Sequence, residues 1–176
     1  MAGCDLTLGR LEPCKDSVGG LRAIYFINYD PALFANFTIT AEEITALTAP
    51  VTCFKYELKG ANSFDETNEN SRENGTSFWS GTGTFVFKKQ SLTSQKELKL
   101  LAAGRPHIIV EDYNGKFRLA GMKNGAECAV NTASGTAMGD LSGYNITATT
   151  QETDMATYID ATLMSNIAGF TVTLGT

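Results

Sequence analysis

Histidine and proline are scarce in this chain, and basic residues are in the minority. The 176 residues include one histidine and four prolines, and 14 Lys and Arg residues are outnumbered by 19 Asp and Glu residues. The net charge of −5 argues against a surface that grips nucleic-acid phosphates, because such a surface needs clustered basic side chains that displace counterions. The same charge is compatible with a surface past which DNA slides.

Motifs of common reaction centres are also missing. The chain contains no G-x-S-x-G elbow, no P-loop and no H-E-x-x-H, and we interpret the lone His107 as structural. The Gly81-Thr-Gly83 pair lacks the third glycine and the following helix of a dinucleotide loop, so it indicates a bulge or a close backbone approach in a strand. We therefore predict no enzyme and no cofactor. A glycosidase with carboxylates from distant segments is the enzymatic alternative.

The four cysteines, Cys4, Cys14, Cys53 and Cys128, contain no C-x-x-C pair. Zinc sites usually show closely spaced ligand pairs, so we predict no metal site. We interpret the cysteines as buried free thiols, which favours assembly in a cytosolic environment.

Long apolar runs are absent from the sequence. No run approaches the ~18 residues of a membrane-spanning helix, and the first residues lack the basic and apolar regions of a signal peptide. We expect no membrane insertion and no export by the general route.

Glycine, threonine and asparagine are abundant instead. Seventeen glycines with many Thr and Asn residues indicate short strands joined by turns. A chain of this length is long enough for one compact core. We predict an N-terminal arm over residues 1–20 and a single β-rich domain over residues 21–176.

The first predicted strand, residues 21–29, is apolar on both alternating faces. Tyr25 and Ile27 lie on one face, and Phe26 lies on the other. This pattern predicts a strand that is covered on both sides. One cover is the core of the domain, and the other is either a neighbouring subunit or an internal helix.

Further strands are predicted at residues 52–58, 78–89, 144–149 and 170–174 from their alternating patterns. One helix is predicted at Thr93–Ala103, with a capping box that starts at Ser94 and a stop at Gly104. Residues 155–168 are ambiguous between strand and helix.

Residues 107–120 predict a β-hairpin. Asn114-Gly115 is the preferred pair for a two-residue type I′ turn. That turn places Glu111 opposite Arg118, where the two form a charge pair worth at most ~1 kcal/mol if it is exposed.

The polar stretch from Gly60 to Thr76 predicts a long loop. Loops of more than ~12 residues are usually functional or disordered. We interpret this one as a mobile loop that orders on meeting a partner, with plain surface disorder as the alternative. We expect deletion of residues 62–73 to leave the fold intact. The residues hypothesised to contact other subunits or rings are Asn62, Phe64, Asp65, Asn68, Asn70, Arg72, Trp79, Tyr25 and Ile27.

Three segments together resemble structural proteins of tailed bacteriophages. Residues 14–29 resemble the start of proteins from tail and neck modules of crAss-like phages, which infect Bacteroidetes-type hosts. Residues 55–89, with Ser71-Arg-Glu-Asn-Gly-Thr-Ser-Phe-Trp79, are similar to the strand, long loop and strand of tail-tube-like subunits. Residues 98–152 follow the same order, ending in Gly135-Thr-Ala-Met-Gly-Asp-Leu-Ser-Gly-Tyr144. The match consists of turn and strand residues, without a catalytic signature.

The resemblance implies a mainly β fold, an antiparallel β-sandwich or barrel of tail-tube type with one flanking α-helix. It also implies closed rings that stack coaxially and line a DNA conduit in the tail tube or neck of the virion, after assembly in the host cytoplasm. The implied partners are copies of the chain, adjacent tail or neck ring proteins, and genomic DNA that passes without sequence-specific binding. One alternative is a capsid-associated head-completion or decoration protein. Another is a carbohydrate-binding β-sandwich module in which Trp79 stacks on sugars.

Overall fold

A computed structural model describes residue 6, residues 8–165 and residues 169–175 of the chain. It confirms a mainly β fold, with two sheets, two α-helices and a 3-10 helix at Leu33–Asn36. The helices are α1 (Leu92–Ala103) and α2 (Ala161–Ser165). In chain order, the strands are β1 (Leu21–Ile27), β2 (Phe37–Thr40), β3 (Glu43–Leu47), β4 (Val51–Glu57), β5 (Ser63–Ser71), β6 (Thr76–Lys88), β7 (His107–Asp112), β8 (Phe117–Ala120), β9 (Ala126–Ala133), β10 (Gly143–Glu152), β11 (Thr157–Ile159) and β12 (Phe170–Leu174).

The strands divide into a large and a small sheet. The large sheet has eight strands in the order β12-β4-β1-β7-β8-β11-β3-β2, and the small sheet has four in the order β5-β6-β10-β9. The small sheet is antiparallel throughout. In the large sheet, β12 pairs with β4 and β11 pairs with β3 in parallel, so the expectation of a purely antiparallel fold is wrong there. The chain reaches both strands through long crossovers, whereas antiparallel neighbours need only a tight turn.

The two sheets pack face to face around one apolar cluster. Ile24 and Ile108 of the large sheet meet Phe85 and Ile146 of the small sheet, and Leu98 of α1 joins the same cluster. All five side chains are at most 2% exposed. The predicted sandwich with a flanking helix therefore follows from side chains that alternate between core and surface along each strand.

A second cluster lies on the other face of the large sheet, and it covers the second face of β1. Tyr25 and Ile27 pack there with Leu33 of the 3-10 helix. The sheet curls around this cluster, and the curl brings the ring of Phe37 on edge strand β2 to 6.3 Å from the ring of Phe170 on edge strand β12. Among the described residues, the two edge strands β2 and β12 do not pair with each other. The large sheet is therefore curled, but it is not a closed barrel.

The predicted loop over residues 60–76 is wrong. Strand β5 occupies most of it and pairs with β6 from Ser63 opposite Thr84 to Ser71 opposite Thr76. Phe64 points inward and is buried, while Ser63 and Asp65 are exposed. The alternation of a strand is present, but polar residues occupy most inward positions after Phe64, and this hides the period in the composition.

The β7–β8 hairpin forms, but with a different turn. The Asp112 N–H donates to the Lys116 carbonyl at 3.1 Å, and the Gly115 N–H donates to the Asp112 carbonyl at 3.2 Å. The Asp112 carboxylate also accepts from the N–H groups of Asn114 at 2.9 Å and Lys116 at 2.8 Å. With Gly115 at φ 75°, this is a three-residue connection with a glycine bulge. The extra residue shifts the register by one position.

The shifted register separates the predicted charge pair. Glu111 lies opposite Phe117, and Arg118 lies opposite Val110. Neighbouring positions point to opposite faces of a strand. Glu111 therefore points to the face of the large sheet that carries the second cluster, and it is buried there.

The remaining predicted elements are largely confirmed. Helix α1 begins one residue earlier than predicted, and the predicted capping box at Ser94 is wrong, because the Ser91 hydroxyl caps the helix by accepting the Ser94 N–H at 3.1 Å. Gly104 ends it as predicted. The ambiguous segment contains β11 and α2, and its residues 166–168 lie outside the described residues. Strands β2, β3 and β9 were not predicted.

The cysteine prediction is confirmed for two of the four residues. Cys53 and Cys128 are buried free thiols, and burial raises the pKa of Cys53 to about 11 and that of Cys128 to about 12. Cys14 is exposed, so the prediction is wrong for that residue. Cys4 lies outside the described residues.

Candidate functional site

The outward face of the small sheet is a broad polar surface, which we call the polar sheet face. Alternate residues of the four strands form it, because a strand turns successive side chains to opposite sides. The strand pairing arranges them in rows, and eight exposed side chains make up the two central rows. One row is Asp65, Thr82, Thr149 and Glu127, and the other is Ser63, Thr84, Thr147 and Ala129.

The polar sheet face carries net negative charge. Asp65, Glu69 and Glu127 project from its strands, and Lys88 stands at the end of β6. Three carboxylates and one ammonium group leave two net negative charges on these strand positions. Short hydroxyl side chains fill most of the remaining positions. Such a surface lacks the clustered basic side chains that neutralise phosphates and leaves few long side chains to obstruct a polymer.

The small sheet ends in β5 on one side and β9 on the other, and β9 is partly covered: helix α1 lies against it, its Ala126 N–H donates to the Pro106 carbonyl at 2.8 Å, and its Ala133 carbonyl accepts the Gln90 side-chain amide at 2.8 Å. No described strand pairs with the outer side of β5 or of β9. Because the four strands alternate in direction, the two edge strands run in opposite directions. A second copy, rotated about an axis along the strands, can therefore place its β5 beside β9 and continue the antiparallel alternation. Edges of this length are normally blocked or paired in native proteins.

One end of the small sheet carries a projecting hairpin. Strand β10 pairs with β6 only as far as Trp79, whereas β5 pairs with β6 as far as Thr76. The β5–β6 hairpin therefore extends past its neighbour by about 10 Å at the usual rise per residue. Asn68 stabilises it by donating to the Ser77 hydroxyl at 3.3 Å and the Phe78 carbonyl at 3.4 Å. We call residues 70–77 the hairpin tip.

A structured loop, residues 134–142, projects at the opposite end. The Asp140 carboxylate accepts the N–H groups of Ala137 at 2.7 Å and Thr136 at 2.8 Å, and these bonds lower the pKa of Asp140. Met138 is fully exposed at the turn of this loop. The two ends of the small sheet therefore present different shapes.

Five of the hypothesised contact residues lie on the β5–β6 hairpin in accessible positions. Asp65, Asn70 and Arg72 are exposed, and Asn68 and Trp79 are half-buried. The structure therefore brings these five together on one element, although that element is a hairpin and not a loop.

The other four hypothesised contact residues are wrong, because they are buried in the chain itself. Asn62 and Phe64 are 6% and 7% exposed, and Tyr25 and Ile27 are 4% and 3% exposed. The Asn62 amide oxygen accepts the Val86 N–H at 2.8 Å, so this side chain holds β6 beyond the end of β5. The other three fill the two apolar clusters.

Asn114, predicted only as a turn residue, also holds the N-terminal arm. Its side-chain amide donates to the Val18 carbonyl at 2.8 Å and accepts the Val18 N–H at 3.0 Å. The arm residues 8–20 contain no helix or strand and are exposed. This two-bond clamp fixes where the arm leaves the β7–β8 turn.

A buried polar pair, Tyr25 and Glu111, lies on the side of the large sheet that carries the second cluster, and no pattern in the sequence indicates it. The Tyr25 hydroxyl donates to the Glu111 carboxylate at 2.7 Å, and the Arg22 guanidinium lies 3.5 Å from the same carboxylate. Burial and the Glu111 hydrogen bond raise the pKa of Tyr25. The pair satisfies a buried charge and has no access to a substrate.

An acidic cleft lies between the sheets near β11. Glu66, Glu152, Asp154 and Lys123 contribute to its lining. The Glu152 carboxylate accepts the N–H groups of Lys123 at 3.0 Å and Asn124 at 2.7 Å. Its hydrogen bonds are therefore made to the loop that follows β8. Burial raises the pKa of Glu66. Among the described residues, no group of three or more His, Cys, Asp or Glu side chains is placed to hold a metal ion.

His107 is fully buried, and both of its ring nitrogens have partners. The Asp30 N–H donates to Nε2 at 3.1 Å, and Nδ1 lies 2.6 Å from the Gly121 carbonyl, to which it donates. The Tyr29 ring stacks on the imidazole at 5.2 Å between centroids. These contacts agree with the structural interpretation of this residue.

Gly81 and Gly83 lie beneath aromatic rings in β6. A Cβ on Gly81 would clash with the Thr150 hydroxyl and lie 3.0 Å from the Phe64 ring, and one on Gly83 would clash with Phe85. The register of β6 is continuous with both neighbours. The glycines therefore permit a close approach and do not mark a bulge.

No protein family model, no curated protein and no solved structure matches this chain. In the part of the chain that the structure describes, no helix is long and apolar enough to cross a membrane.

Proposed function

We propose that this chain is a virion structural protein of a tailed bacteriophage, a subunit of closed rings in the tail tube or neck that stack and line the DNA conduit. Its partners are copies of itself and the adjacent ring proteins. It assembles in the host cytoplasm, and its function depends on shape and contacts without a catalytic step.

The observation that carries the proposal is the small sheet, whose two oppositely directed edge strands pair with no further described strand and whose polar face is exposed. An even number of alternating strands lets identical copies continue one antiparallel sheet by rotation alone. When that rotation closes, both edges of the small sheet are paired in every copy. The curled large sheet and α1 then lie on the other side of the small sheet, away from the polar sheet face.

The charge of the polar sheet face supports its assignment to the channel wall. DNA passing through a narrow channel must not be held, and each basic side chain that neutralises a phosphate strengthens non-specific binding. Asp65 and Glu127 make the central row acidic at both edges. DNA therefore passes without sequence-specific contacts.

The two unlike ends of the small sheet support coaxial stacking. The hairpin tip projects along the strand direction at one end, and the Met138 loop projects at the other. In a ring whose axis follows the strands, these features face the neighbouring rings above and below. Head-to-tail stacking requires such non-identical ends.

A carbohydrate-binding module receives less support from the structure. Trp79 lies on the inward parity of β6, together with Phe85, and it is half-buried. A sugar platform needs a flat aromatic face directed to solvent.

Disulfide trapping between edge strands tests the proposal. In a background with Cys4→Ser and Cys14→Ser, Thr67→Cys on β5 is combined in turn with Glu127→Cys, Ala129→Cys or Asn131→Cys on β9. All four positions are exposed, and directly opposite residues of paired antiparallel strands have Cα atoms about 4.5–5.5 Å apart, within the range of a disulfide. We expect at least one pair to form a ladder of covalent oligomers that ends in a closed ring.

The matched control combines Thr67→Cys with Thr38→Cys on β2, the exposed edge strand of the large sheet. This pair should give only background cross-linking. If all three β5–β9 pairs give no more oligomer than the control, copies do not join through these edges and the proposed ring is wrong.

A further inference from the structure

The loop at residues 134–142 presents a methionine on a structured support. Met138 is fully exposed at the turn of this loop. The Asp140 carboxylate accepts the N–H groups of Thr136 and Ala137, and the Asp140 N–H donates to the Ala137 carbonyl at 3.1 Å. The loop therefore holds a flexible apolar side chain in solvent on a preorganised backbone, and preorganisation lowers the entropy cost of binding.

The acidic cleft near β11 has the size and lining to receive such a side chain. Its volume is about 250 Å³, which is below the ~300–1,000 Å³ of typical small-molecule sites and suits a side chain better than a cofactor. Phe34, Ile39 and Met155 at its mouth are 44%, 38% and 52% exposed. A side chain that enters the cleft would cover these apolar groups.

The loop and the cleft lie at opposite ends of one strand. Strand β10 begins at Gly143, directly after the loop, and ends at Glu152, which lines the cleft. Met155 at the mouth lies in the connection that leaves this end of β10. The ten residues of β10 span about 33 Å, so the loop cannot reach the cleft of its own chain. A second copy displaced along the strand direction brings its loop to this cleft.

The cleft carries an excess of negative charge. Glu42, Glu66, Glu152 and Asp154 line it together with one basic side chain, Lys123, and the Lys123 ammonium group already pairs with Asp154 at 3.0 Å. Among the described residues, one oxygen of the Glu66 carboxylate is buried without a hydrogen-bond partner. A donor from a docked segment would satisfy this oxygen.

The base of the loop carries the opposite charge. Lys88 and Lys89 are exposed there, and the Lys89 N–H donates to the Ser142 carbonyl at 2.8 Å, which fixes these lysines beside the loop. The Asp140 carboxylate is turned into the loop by its own hydrogen bonds. Opposite charges at the two ends favour head-to-tail contact between copies over head-to-head contact.

We propose that Met138 of one copy inserts into the acidic cleft of the next copy along the strand direction, with Lys88 and Lys89 facing the carboxylates at its mouth. This proposal names the contact between stacked rings, so it rests on the proposed function. The contact uses surfaces separate from the β5 and β9 edges that close a ring. Each copy donates one loop and accepts one, so the contact can repeat from ring to ring.

Cross-linking between two differently tagged full-length chains tests this proposal. Both chains carry Cys4→Ser and Cys14→Ser. One also carries Ala137→Cys, which keeps Met138 in place, and the other carries Ile39→Cys or Met155→Cys at the mouth of the cleft. All three cross-linking positions are exposed. After mixing and mild oxidation, we expect a covalent heterodimer from at least one of these mixtures.

The control mixture pairs Ala137→Cys with Leu92→Cys at the start of α1. Leu92 is 88% exposed, and it lies at the same end of the molecule as the loop, because the neighbouring Gln90 side chain donates to the Ala133 carbonyl at 2.8 Å. Head-to-tail contact keeps it away from the loop of the next copy. We expect about ten times more heterodimer from a mouth mixture than from this control, and Met138→Ser should remove the excess, because burial of one methionine is worth about tenfold in affinity.

Charge reversal tests the basic end. Lys88→Glu combined with Lys89→Glu on the loop-bearing chain should lower the heterodimer yield about threefold. Lys96→Glu combined with Lys99→Glu, at exposed positions of α1, makes the same change in net charge and should leave the yield unchanged.

Equal yields from the mouth and control mixtures, or a yield that does not depend on Met138, would overturn the proposal. Rings trapped through β5 and β9 without this cross-link would contradict the loop contact alone. The cross-link without β5–β9 trapping would contradict the ring alone. The two proposals therefore fail separately.

Discussion

Asp65 on β5 and Glu127 on β9 stand at the two ends of one cross-strand row, with Thr82 and Thr149 between them. The row spans the whole small sheet and ends at both of its edges. When copies continue the sheet, rows of this kind join into polar, acidic bands around the inside of a ring. The proposed conduit depends on this relationship between charge and edge position.

Lysine in the centre of the row should make the protein bind DNA. With Thr82→Lys and Thr149→Lys combined, each new ammonium group can neutralise a phosphate and release counterions. We expect the variant to bind a double-stranded oligonucleotide in a fluorescence anisotropy titration at low salt, with affinity that falls steeply as salt rises. The unchanged protein should not bind under the same conditions.

The control for this experiment is Thr38→Lys combined with Thr171→Lys, two exposed positions on the edge strands of the large sheet. The two variants have the same net charge, so only the position of the charge differs. Equal DNA binding by both would contradict the assignment of the polar sheet face to the channel wall.

Shortening the β5–β6 hairpin should separate stacking from folding. Replacing residues 71–76 by Asn-Gly, the preferred pair for a tight hairpin turn, removes most of the hairpin tip and keeps the pairing from Ser63 to Asn70. We expect an unchanged circular dichroism spectrum and intact rings, but few stacked rings in electron micrographs. Stacks of normal length would show that the tip has no part in stacking.

Deleting residues 62–73, in contrast, should prevent folding. The deletion removes β5 and with it Phe64, which is 7% exposed in the cluster between the sheets. Loss of a buried phenylalanine alone costs about 3–5 kcal/mol, a large part of the stability of a typical domain. This reverses the expectation from the sequence, and urea denaturation of the two deletion variants distinguishes them.

Tyr25→Phe should destabilise the chain by about 1.5–3 kcal/mol, because it removes a hydrogen bond to a buried carboxylate. The Tyr25 hydroxyl is 2.7 Å from the Glu111 carboxylate, and Glu111 is 6% exposed. Tyr158→Phe is the matched control, since Tyr158 is 48% exposed, and it should change stability by less than ~0.5 kcal/mol. Equal melting temperatures for the two variants would contradict a stabilising role for the buried pair.

Stability should fall as pH rises above about 9, because Cys53 and Cys128 titrate later in the folded chain. Their pKa values rise from the ordinary 9.0 to about 11 and about 12 on burial. Between these values the unfolded chain loses the thiol protons and the folded chain keeps them, so the free energy of unfolding decreases with pH. Below pH 9 the thiols are protonated in both states and have no effect.

Urea denaturation with a reductant present, at pH 8 and at pH 10, measures this fall. Each thiol contributes roughly 1.4 kcal/mol per pH unit at most. Cys128→Ala lowers stability at both pH values but should reduce the difference between them. A difference unchanged in Cys128→Ala would show that this thiol does not titrate as described. Tyr25, whose pKa is also raised, adds to the fall only above pH 10.

The elements with clear apolar patterns could be predicted from the sequence. The run from Leu21 to Ile27 is apolar on both faces, and both faces are buried. Its second cover could not be predicted, because it comes from the curl of the large sheet, which brings Phe37 and Phe170 together across 133 positions of the chain.

Polar residues with structural roles caused the main errors. The side chain of Asp112 accepts two backbone N–H groups and selects the bulged turn, which overrides the local preference of Asn114-Gly115 and moves Glu111 into the interior. In β5, Glu66 points inward and accepts the Ala156 N–H at 2.9 Å. A carboxylate that bonds to a segment 90 positions away cannot be identified as an inward residue from local sequence.

The candidate site was predicted only in part. Asp65, Asn70 and Arg72 were placed correctly on an accessible element, but β9 and its edge residue Glu127 were not identified. The alternation of small residues in β9 is weak, and its position at an edge depends on the pairing of β10 with both β6 and β9.

Electron microscopy of the purified full-length protein at high concentration tests the central claim most directly. The proposed function predicts closed rings of one fixed copy number with an open centre, and image reconstruction should place the small sheet on the inner wall. A protein that stays monomeric at high concentration, or rings whose inner wall is the large sheet, would contradict it.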